Sequence, residues 1–152
     1  MGLEIIEFES KHDIDCIILR FFNIYGIGQT SEYAGVITKF MERITQEKPL
    51  EIFGDGLQTR DFVAIDDVIN LMYNAISYGK SGTYNISSGR IVTIKELAEL
   101  MISISGKKLE IQHTASLKGD IRNSQADISL AKKELGYSPK FELREEIKCF
   151  LK

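Results

Sequence analysis

The sequence predicts an α/β protein, and three observations support this fold class. Strand-like segments alternate along the chain with segments of helical period. The strand-like segments are either continuously apolar or alternate with a period of two. The chain has 152 residues, 43% of them hydrophobic, so it can bury about 70% of its unfolded surface. No internal repeat, low-complexity tract or obvious linker divides it. We therefore expect a single domain over residues 1–152.

The first half of the chain contains helices and strands in alternation. It begins with the end of an amphipathic helix over residues 2–11, with an apolar face of Leu3, Ile5, Ile6 and Phe8. "IDCIILRFF" (14–22) is too continuously apolar for an exposed strand and predicts a buried parallel strand. "YAGVITKFMERI" has a helical period, and "LEIF" and "DFVAI" predict short strands. "DDVINLMYNAISYG" predicts a helix capped by Asp66 or Asp67, with Gly79 near its end.

The second half repeats this alternation. "GTYNIS" predicts a strand, and Thr93 caps the helix "IKELAELMISISG" with Glu96 completing a capping box. "LEIQHT" predicts a further strand, and residues 127–135 and 142–151 predict two helices separated by the turn "GYSP". The buried strand at 14–20 needs parallel neighbours and helices on both faces, and little of the preceding sequence could supply them. We therefore expect that an N-terminal part is missing.

Composition and charge exclude several classes of function. A net charge of -3 and a pI near 5.5 give no basic field for a nucleic acid. Cys16 and Cys149 match neither a disulfide framework nor metal-ligand spacing, and His12 and His113 have no carboxylate or cysteine at ligand spacing. No apolar stretch approaches the roughly 20 residues that span a bilayer, and the start does not resemble a signal peptide. We expect a cytoplasmic protein without nucleic-acid or membrane partners.

Six blocks of the sequence carry a family resemblance. They are "ILRFFNIYGIGQ", "SEYAGVITKF", "PLEIFGDGLQTRDFVAIDDV", "GTYNISSG", "TIKELAELM" and "GDIRNSQADISLAKKELGYSP". In order and spacing they resemble the C-terminal half of NAD-dependent nucleotide-sugar epimerases and dehydratases of the extended short-chain dehydrogenase/reductase group, and most of all the UDP-glucose 4-epimerases. Because the blocks cover nearly the whole chain, the resemblance is more specific than any single motif.

The resemblance implies a fragment of an extended Rossmann-type enzyme, with one or two remnant parallel strands and a small mixed α/β substrate-binding lobe. Residues 1–23 would be the remnant of the cofactor-domain helix and strand. The family's Gly-rich fingerprint and "YxxxK" pair, which bind NAD and transfer the proton, do not occur in this sequence. The resemblance therefore implies a chain that is inactive alone. NAD belongs to the full-length enzyme and is not expected to bind stably here, although Phe21 would be a main-chain neighbour of the nicotinamide.

The resemblance also assigns substrate contacts. Arg60, in "TRDF", would hold the nucleotide diphosphate, for which a guanidinium fork is suited; the alternative is an ion pair with Asp55 or Asp61. Asn23 would bond the phosphate or sugar, or only cap a turn. Val36 and Phe53 would lie along the uracil ring, with a core position as the alternative for each. In "LEIF" the alternation places Leu50 and Ile52 on one face, with Glu51 and Phe53 on the other.

The last block departs from the family pattern. Family epimerases commonly carry arginine, any residue, glycine and aspartate, whereas this chain has "LKGD". Asp120 matches the aspartate that accepts bonds from ribose, but Leu117 stands at the arginine position. Lys118 and Arg122 are candidate substitute phosphate contacts, or solvated surface charges. We interpret Asp127 as a helix cap, and we assign no metal site because Asp66 and Asp67 have no third ligand.

Several functions remain open at this point. The first is the UDP-sugar-binding part of an NAD-dependent 4-epimerase, which would bind UDP or a UDP-sugar and pair with the missing Rossmann portion or a second chain. A dehydratase or decarboxylase fragment is its rival within the family. The others are a stand-alone nucleotide-sugar binding module and an interaction domain. An exposed flank of the 14–20 strand would favour a homo-oligomer.

Overall fold

The computed structural model describes residues 11–12, 14–29 and 35–151. The helix predicted over residues 2–11 lies outside the described residues, apart from Lys11, and the first two residues of "YAGVITKFMERI" lie outside them as well. The described chain contains seven strands and five helices. The strands are β1 Ile17–Phe21, β2 Asn23–Tyr25, β3 Leu50–Phe53, β4 Thr59–Ala64, β5 Gly82–Ile86, β6 Ile91–Thr93 and β7 Ile111–Thr114. The helices are α1 Val36–Thr45, α2 Ile65–Tyr78, α3 Ile94–Ser105, α4 Ser129–Leu135 and α5 Leu143–Phe150.

The strands form three small sheets. β1 pairs with β5 in parallel, with Ile17 opposite Gly82, and β3 pairs with β7 in parallel. β4 is the centre of a mixed sheet, parallel to β2 on one side and antiparallel to β6 on the other. The α/β class and the parallel character of β1 are confirmed. β2 and β6 were not predicted, because three residues are too few to show a period.

The prediction that the first strand is buried is wrong for the described structure. Ile17, Ile18 and Leu19 are half-buried, and the last two residues of β1 are exposed. The physical reason is that β1 has one described neighbour, β5, whereas a strand in the middle of a parallel sheet is covered on both edges and both faces. The outer edge of β1 therefore has no partner strand among the described residues.

The helix ends follow the sequence signals in part. Thr93 and Glu96 form the predicted capping box, and Gly106 ends α3 in the left-handed region, with φ 67°. Gly79 ends α2, as expected. The prediction that Asp66 or Asp67 caps α2 is wrong, since Ala64 is the N-cap and no side chain caps the helix. Asp67 instead accepts bonds from the main-chain N–H groups of residues 140 and 141.

Two apolar clusters lie on opposite sides of β4. The first joins α1, β3, α3 and α5 around Phe40, Leu50 and Met101, and the second joins α2, β5 and α4 around Leu71 and Ile86. No helix of the described residues has both the length and the apolar character to cross a membrane. The same part of the chain contains no cluster of three or more metal-ligating side chains.

Candidate functional site

A cleft of about 710 Å³ opens between α1, β3, β4 and the segment around residue 120. It is lined by all five of the predicted substrate contacts and also by the leucine at the family's arginine position. These residues are Asn23, Val36, Phe53, Arg60, Leu117 and Asp120. The fold therefore gathers into one concavity side chains that are almost 100 residues apart in sequence.

The alternation of β4 decides which side chains reach the cleft. Gln58, Arg60 and Phe62 occupy alternate positions and line it. Asp61 and Val63 alternate with them and are buried on the opposite face, where Val63 belongs to the second apolar cluster. A single strand thus separates a face that is open to the cleft from a face that is fully packed.

Arg60 lies at the wall of the cleft with its side chain 16% exposed. Its Nη1 donates to the main-chain oxygen of Thr59 at 2.8 Å and to that of Ile121 at 2.6 Å. Its Nη2 donates to the carboxylate of Asp120. The ion pair that the sequence left open therefore exists, but its partner is Asp120 and neither Asp55 nor Asp61. Two predicted site residues contact each other directly.

Asp61 is a fully buried carboxylate that is satisfied by neutral donors. The hydroxyls of Ser87 and Ser88 donate to Oδ1 at 2.6 and 2.8 Å, and the Ser88 N–H donates to it at 3.1 Å. The N–H groups of Gly89 and Ala126 donate to Oδ2 at 3.1 and 3.0 Å. These bonds fix β4 to the turn after β5 and to the segment that follows Asp120.

Asn23 belongs to a strand, whereas the sequence placed it at a strand exit. Its Nδ2 donates to the main-chain oxygen of Asp61 at 2.9 Å. The amide nitrogen therefore holds β2 against β4, and the side chain still lines the cleft. The turn-capping alternative does not describe this contact.

The far wall of the cleft is built by β3 and α1. Leu50 and Ile52 are buried, as the alternation predicted, and Phe53 is 39% exposed. Phe53 is therefore not a core residue. Val36 is half-buried at the start of α1, where it packs against the first apolar cluster and also lines the cleft.

The two candidate substitutes for the missing arginine do not line the cleft. Arg122 makes a bidentate pair with Asp55, at 2.6 and 2.9 Å. The bonds from Arg122, together with the one from the Leu57 N–H, lower the pKa of Asp55 to about 2, and the bonds to Asp55 raise the pKa of Arg122. Lys118 is exposed outside the cleft lining, and Leu117 stands in the lining with 54% of its surface exposed.

Sequence reasoning missed many of the cleft residues, among them the polar residues Gln58 and Lys39. Gln58 donates from Nε2 to the Phe53 oxygen at 2.9 Å, and its buried Oε1 has no hydrogen-bond partner among the described residues. Lys39 lies one turn after Val36 on α1. Both have a sequence signal, since Gln58 is two residues before Arg60 on a strand and Lys39 is three residues after Val36 on a helix.

Proteins of similar sequence identify the family of this chain. The family described as "NAD dependent epimerase/dehydratase family" matches residues 3–87. This chain belongs to that family. A UDP-glucuronate 4-epimerase of Thermodesulfobacterium geofontis is 31% identical over 150 residues, which are 97% of this chain and 46% of that protein. The UDP-glucuronic acid decarboxylase 3 of Arabidopsis thaliana is 30% identical, over 91% of this chain and 41% of that protein.

Solved structures agree with the family. The UDP-glucose 4-epimerase of Thermotoga maritima, solved with UDP-glucose, has a TM-score of 0.94 and 34% identity, over 98% of this chain and 48% of that one. A UDP-glucuronic acid 4-epimerase of Bacillus cereus, solved with UDP-glucuronic acid and NAD, has a TM-score of 0.86 and 32% identity, over 95% of this chain and 46% of that one. This family member therefore has the α/β fold that was predicted for a fragment of a Rossmann-type enzyme, and it spans about half the length of the curated relatives it matches.

The family name implies NAD, and the residues of this chain can be tested against that cofactor. The Gly-rich fingerprint and the "YxxxK" pair are absent from the sequence. Phe21, the one predicted contact to the nicotinamide, is 40% exposed at the end of β1 and lies outside the cleft lining. The residues that the structure describes do not by themselves compose an NAD site, so no hydride-transfer step is assigned to them.

Proposed function

We propose that this chain is the UDP-sugar-binding part of an NAD-dependent nucleotide-sugar 4-epimerase and is inactive alone. The observation that carries the proposal is the shared cleft: five positions from four sequence blocks line one concavity of about 710 Å³, a volume typical of small-molecule sites. In this proposal Arg60 binds the diphosphate, Asp120 the ribose, and Asn23 the phosphate or sugar. Val36 and Phe53 lie along the base.

The hydrogen bonds of Arg60 support a role in anion binding. A guanidinium has five N–H donors, and the bonds to Thr59, Ile121 and Asp120 use three of them. Two donors remain, so a phosphate can be gripped without first breaking the pair with Asp120. Because Arg60 is largely shielded from solvent, a charge-assisted bond there is weakened less by water than one on the open surface.

The partner in catalysis would be a Rossmann portion that supplies NAD binding and proton transfer, as part of a longer protein or as a second chain. The outer edge of β1, which has no partner strand among the described residues, supports this, because parallel strands are normally covered on both sides. An exposed apolar stripe on α2 supports it too, and consists of Ile69, Met72, Tyr73 and Ile76. The same surfaces would favour self-association of the isolated chain, so we expect a homo-oligomer.

A decarboxylase or dehydratase is the second candidate, and the similarity to UDP-glucuronic acid decarboxylases favours it. Within this proposal it differs mainly in the chemistry supplied by the Rossmann portion, because a nucleotide diphosphate would occupy the cleft in each case. Activity assays of the chain together with a cofactor portion would distinguish an epimerised from a decarboxylated product.

Arg60→Ala tests the binding role. We expect it to weaken UDP binding by roughly 1.5–3 kcal/mol, the contribution of a charged hydrogen bond, and to leave uridine binding unchanged. Arg60→Lys should restore only part of the loss, because an ammonium keeps the charge without the planar fork. Isothermal titration calorimetry with UDP and uridine measures both.

Arg90→Ala is the matched control, since Arg90 is also an arginine paired with a carboxylate, Glu142, and lies outside the cleft. It should leave both affinities unchanged. An equal loss of UDP and uridine binding in Arg60→Ala would mean that Arg60 only maintains the fold. Wild-type protein that ignores UDP would favour the interaction-domain hypothesis.

A further inference from the structure

The cations that line the cleft differ in how far their charge is already used. Among the described residues there are three: Lys39, Arg43 and Arg60. Arg43 pairs with Glu51 and donates to the Pro49 oxygen at 2.9 Å, and Arg60 pairs with Asp120. The Lys39 ammonium, in contrast, has no hydrogen bond or ion pair within the described structure and is exposed to solvent. Lys39 is therefore the cleft cation whose charge is most available to a ligand.

The packing of α1 on β3 places Lys39 at the base end of the cleft. Arg43 contacts the start of β3, and the chain reverses direction between the two elements within residues 46–49. Lys39 lies one turn after Val36 on α1, and both line the cleft together with Phe53 of β3. Lys39 therefore shares the cleft wall with the two residues proposed to lie along the base.

The chemistry of an ammonium decides what Lys39 can recognise there. It offers three donors and no acceptor. The keto oxygen at position 4 of uracil or thymine accepts such a bond, whereas cytosine carries an amino group at that position, which is itself a donor. A lysine whose ammonium faces position 4 of the base therefore discriminates between keto and amino pyrimidines.

We propose that Lys39 determines base specificity by donating a hydrogen bond to the keto oxygen of a uracil or thymine nucleotide. This inference rests on the proposed nucleotide-binding function. It is separate from the Arg60 contact, because Arg60 lies on β4 beside Asp120 and Lys39 lies on α1 at the opposite wall. Substitution of Arg60 should therefore affect the affinity for ligands with phosphates, whereas substitution of Lys39 should affect the affinity according to the base.

The experiment compares the full chain with Lys39→Met, which keeps the length of the side chain but removes the donor and the charge. Calorimetry with UDP, CDP and uridine separates base from phosphate contacts. We expect Lys39→Met to weaken the affinities for UDP and for uridine by about fivefold each, because a charged hydrogen bond contributes less at an exposed position. The affinity for CDP should change less than twofold. Lys39→Gln keeps a neutral donor and should retain part of the preference for UDP over CDP.

Lys108→Met is the matched control, because Lys108 is exposed and lies outside the cleft; it should change none of the three affinities. Unchanged UDP binding in Lys39→Met, while Arg60→Ala still weakens it, would overturn this inference and leave the proposed function standing. Equal losses for UDP and CDP with uridine spared would indicate a phosphate contact and overturn it as well. A wild-type chain without UDP affinity would overturn both the function and the inference.

Discussion

Arg60 and Asp61 are neighbours on β4, but their side chains lie on opposite faces of the strand and make opposite kinds of contact. Asp61 is fully buried, and all of its donors belong to the protein. Arg60 lines a cleft, and two of its N–H groups have no acceptor among the described residues. In "TRDF" the acidic residue therefore stabilises the fold, whereas the basic residue still has donors for a ligand.

The two faces also depend on each other. Asp61 accepts the N–H of Ala126, a few residues after Asp120, and Thr59 exchanges main-chain bonds with the same segment at Arg122 and Ser124. The buried face therefore holds the segment that presents Asp120 to Arg60. Disrupting Asp61 should disturb the cleft indirectly, through the fold, while disrupting Arg60 should act on ligands directly.

Asp61→Asn gives the largest expected effect. The substitution replaces one carboxylate oxygen with an amide nitrogen, which faces donors and cannot accept their bonds. We expect the free energy of unfolding to fall by about 3 kcal/mol, since more than one buried donor loses its acceptor. Urea denaturation followed by circular dichroism measures the loss.

Asp66→Asn is the control, because Asp66 is an exposed aspartate in the first turn of α2. Its favourable interaction with the helix dipole is worth only about 0.5 kcal/mol. If Asp61→Asn cost no more stability than Asp66→Asn, the contrast between the two faces of β4 would be wrong.

The elements of the fold were predictable where periodicity extends over enough residues. α3 and its capping box were readable, since Thr93 and Glu96 are three residues apart and the box is local. The role of Asp67 could not be predicted from the sequence, because the main-chain N–H groups that it binds are 73 and 74 residues away. A residue type at a helix start indicates a cap, but a tertiary contact can take the same carboxylate for another purpose.

The grouping of these side chains in one cleft was predictable from the family resemblance more than from the chemistry of single residues. Considered alone, Phe53 and Val36 fitted core positions as well as the cleft. The partner of Arg60 was sought among nearby aspartates, whereas the actual one is 60 residues further along the chain. Sequence proximity is a poor guide to ion pairs because the fold, and not the spacing, decides which charges meet.

Leu117→Arg tests whether the cleft side of β4 binds the phosphates of a ligand. Leu117 lines the cleft and is 54% exposed, so an arginine there has room and a second cation would face the phosphates. We expect UDP binding to strengthen by roughly 1 kcal/mol, reduced by solvent from the value of a buried charged bond, with uridine binding unchanged. Calorimetry against both ligands measures this.

The control for that gain is Leu57→Arg, which adds the same charge at a leucine that is 51% exposed and outside the cleft. An equal gain from both variants would point to a general electrostatic effect of net charge. A gain from Leu117→Arg alone would support a phosphate position beside Asp120.

The pair of Arg122 with Asp55 gives the smallest expected effect and tests whether a cation near the cleft is available at all. Arg122 is the first cause of the low pKa of Asp55, about 2, and the Leu57 N–H is the second. Arg122→Ala should therefore raise the Asp55 pKa only part of the way towards its ordinary value, as followed by NMR titration of the carboxyl carbon. Because the pKa is lowered in the folded chain, the pair stabilises the fold above the unfolded pKa, and this stabilisation is lost as the pH falls through about 2.

UDP affinity should not change in Arg122→Ala, since Arg122 pairs with Asp55 and does not line the cleft. Arg60→Ala should bind UDP more weakly under the same conditions, because it removes the donors of Arg60 from the cleft wall. Weaker UDP binding in Arg122→Ala would mean that Arg122 leaves Asp55 for the phosphates. In that case a bidentate ion pair would not by itself mark an arginine as unavailable to a ligand.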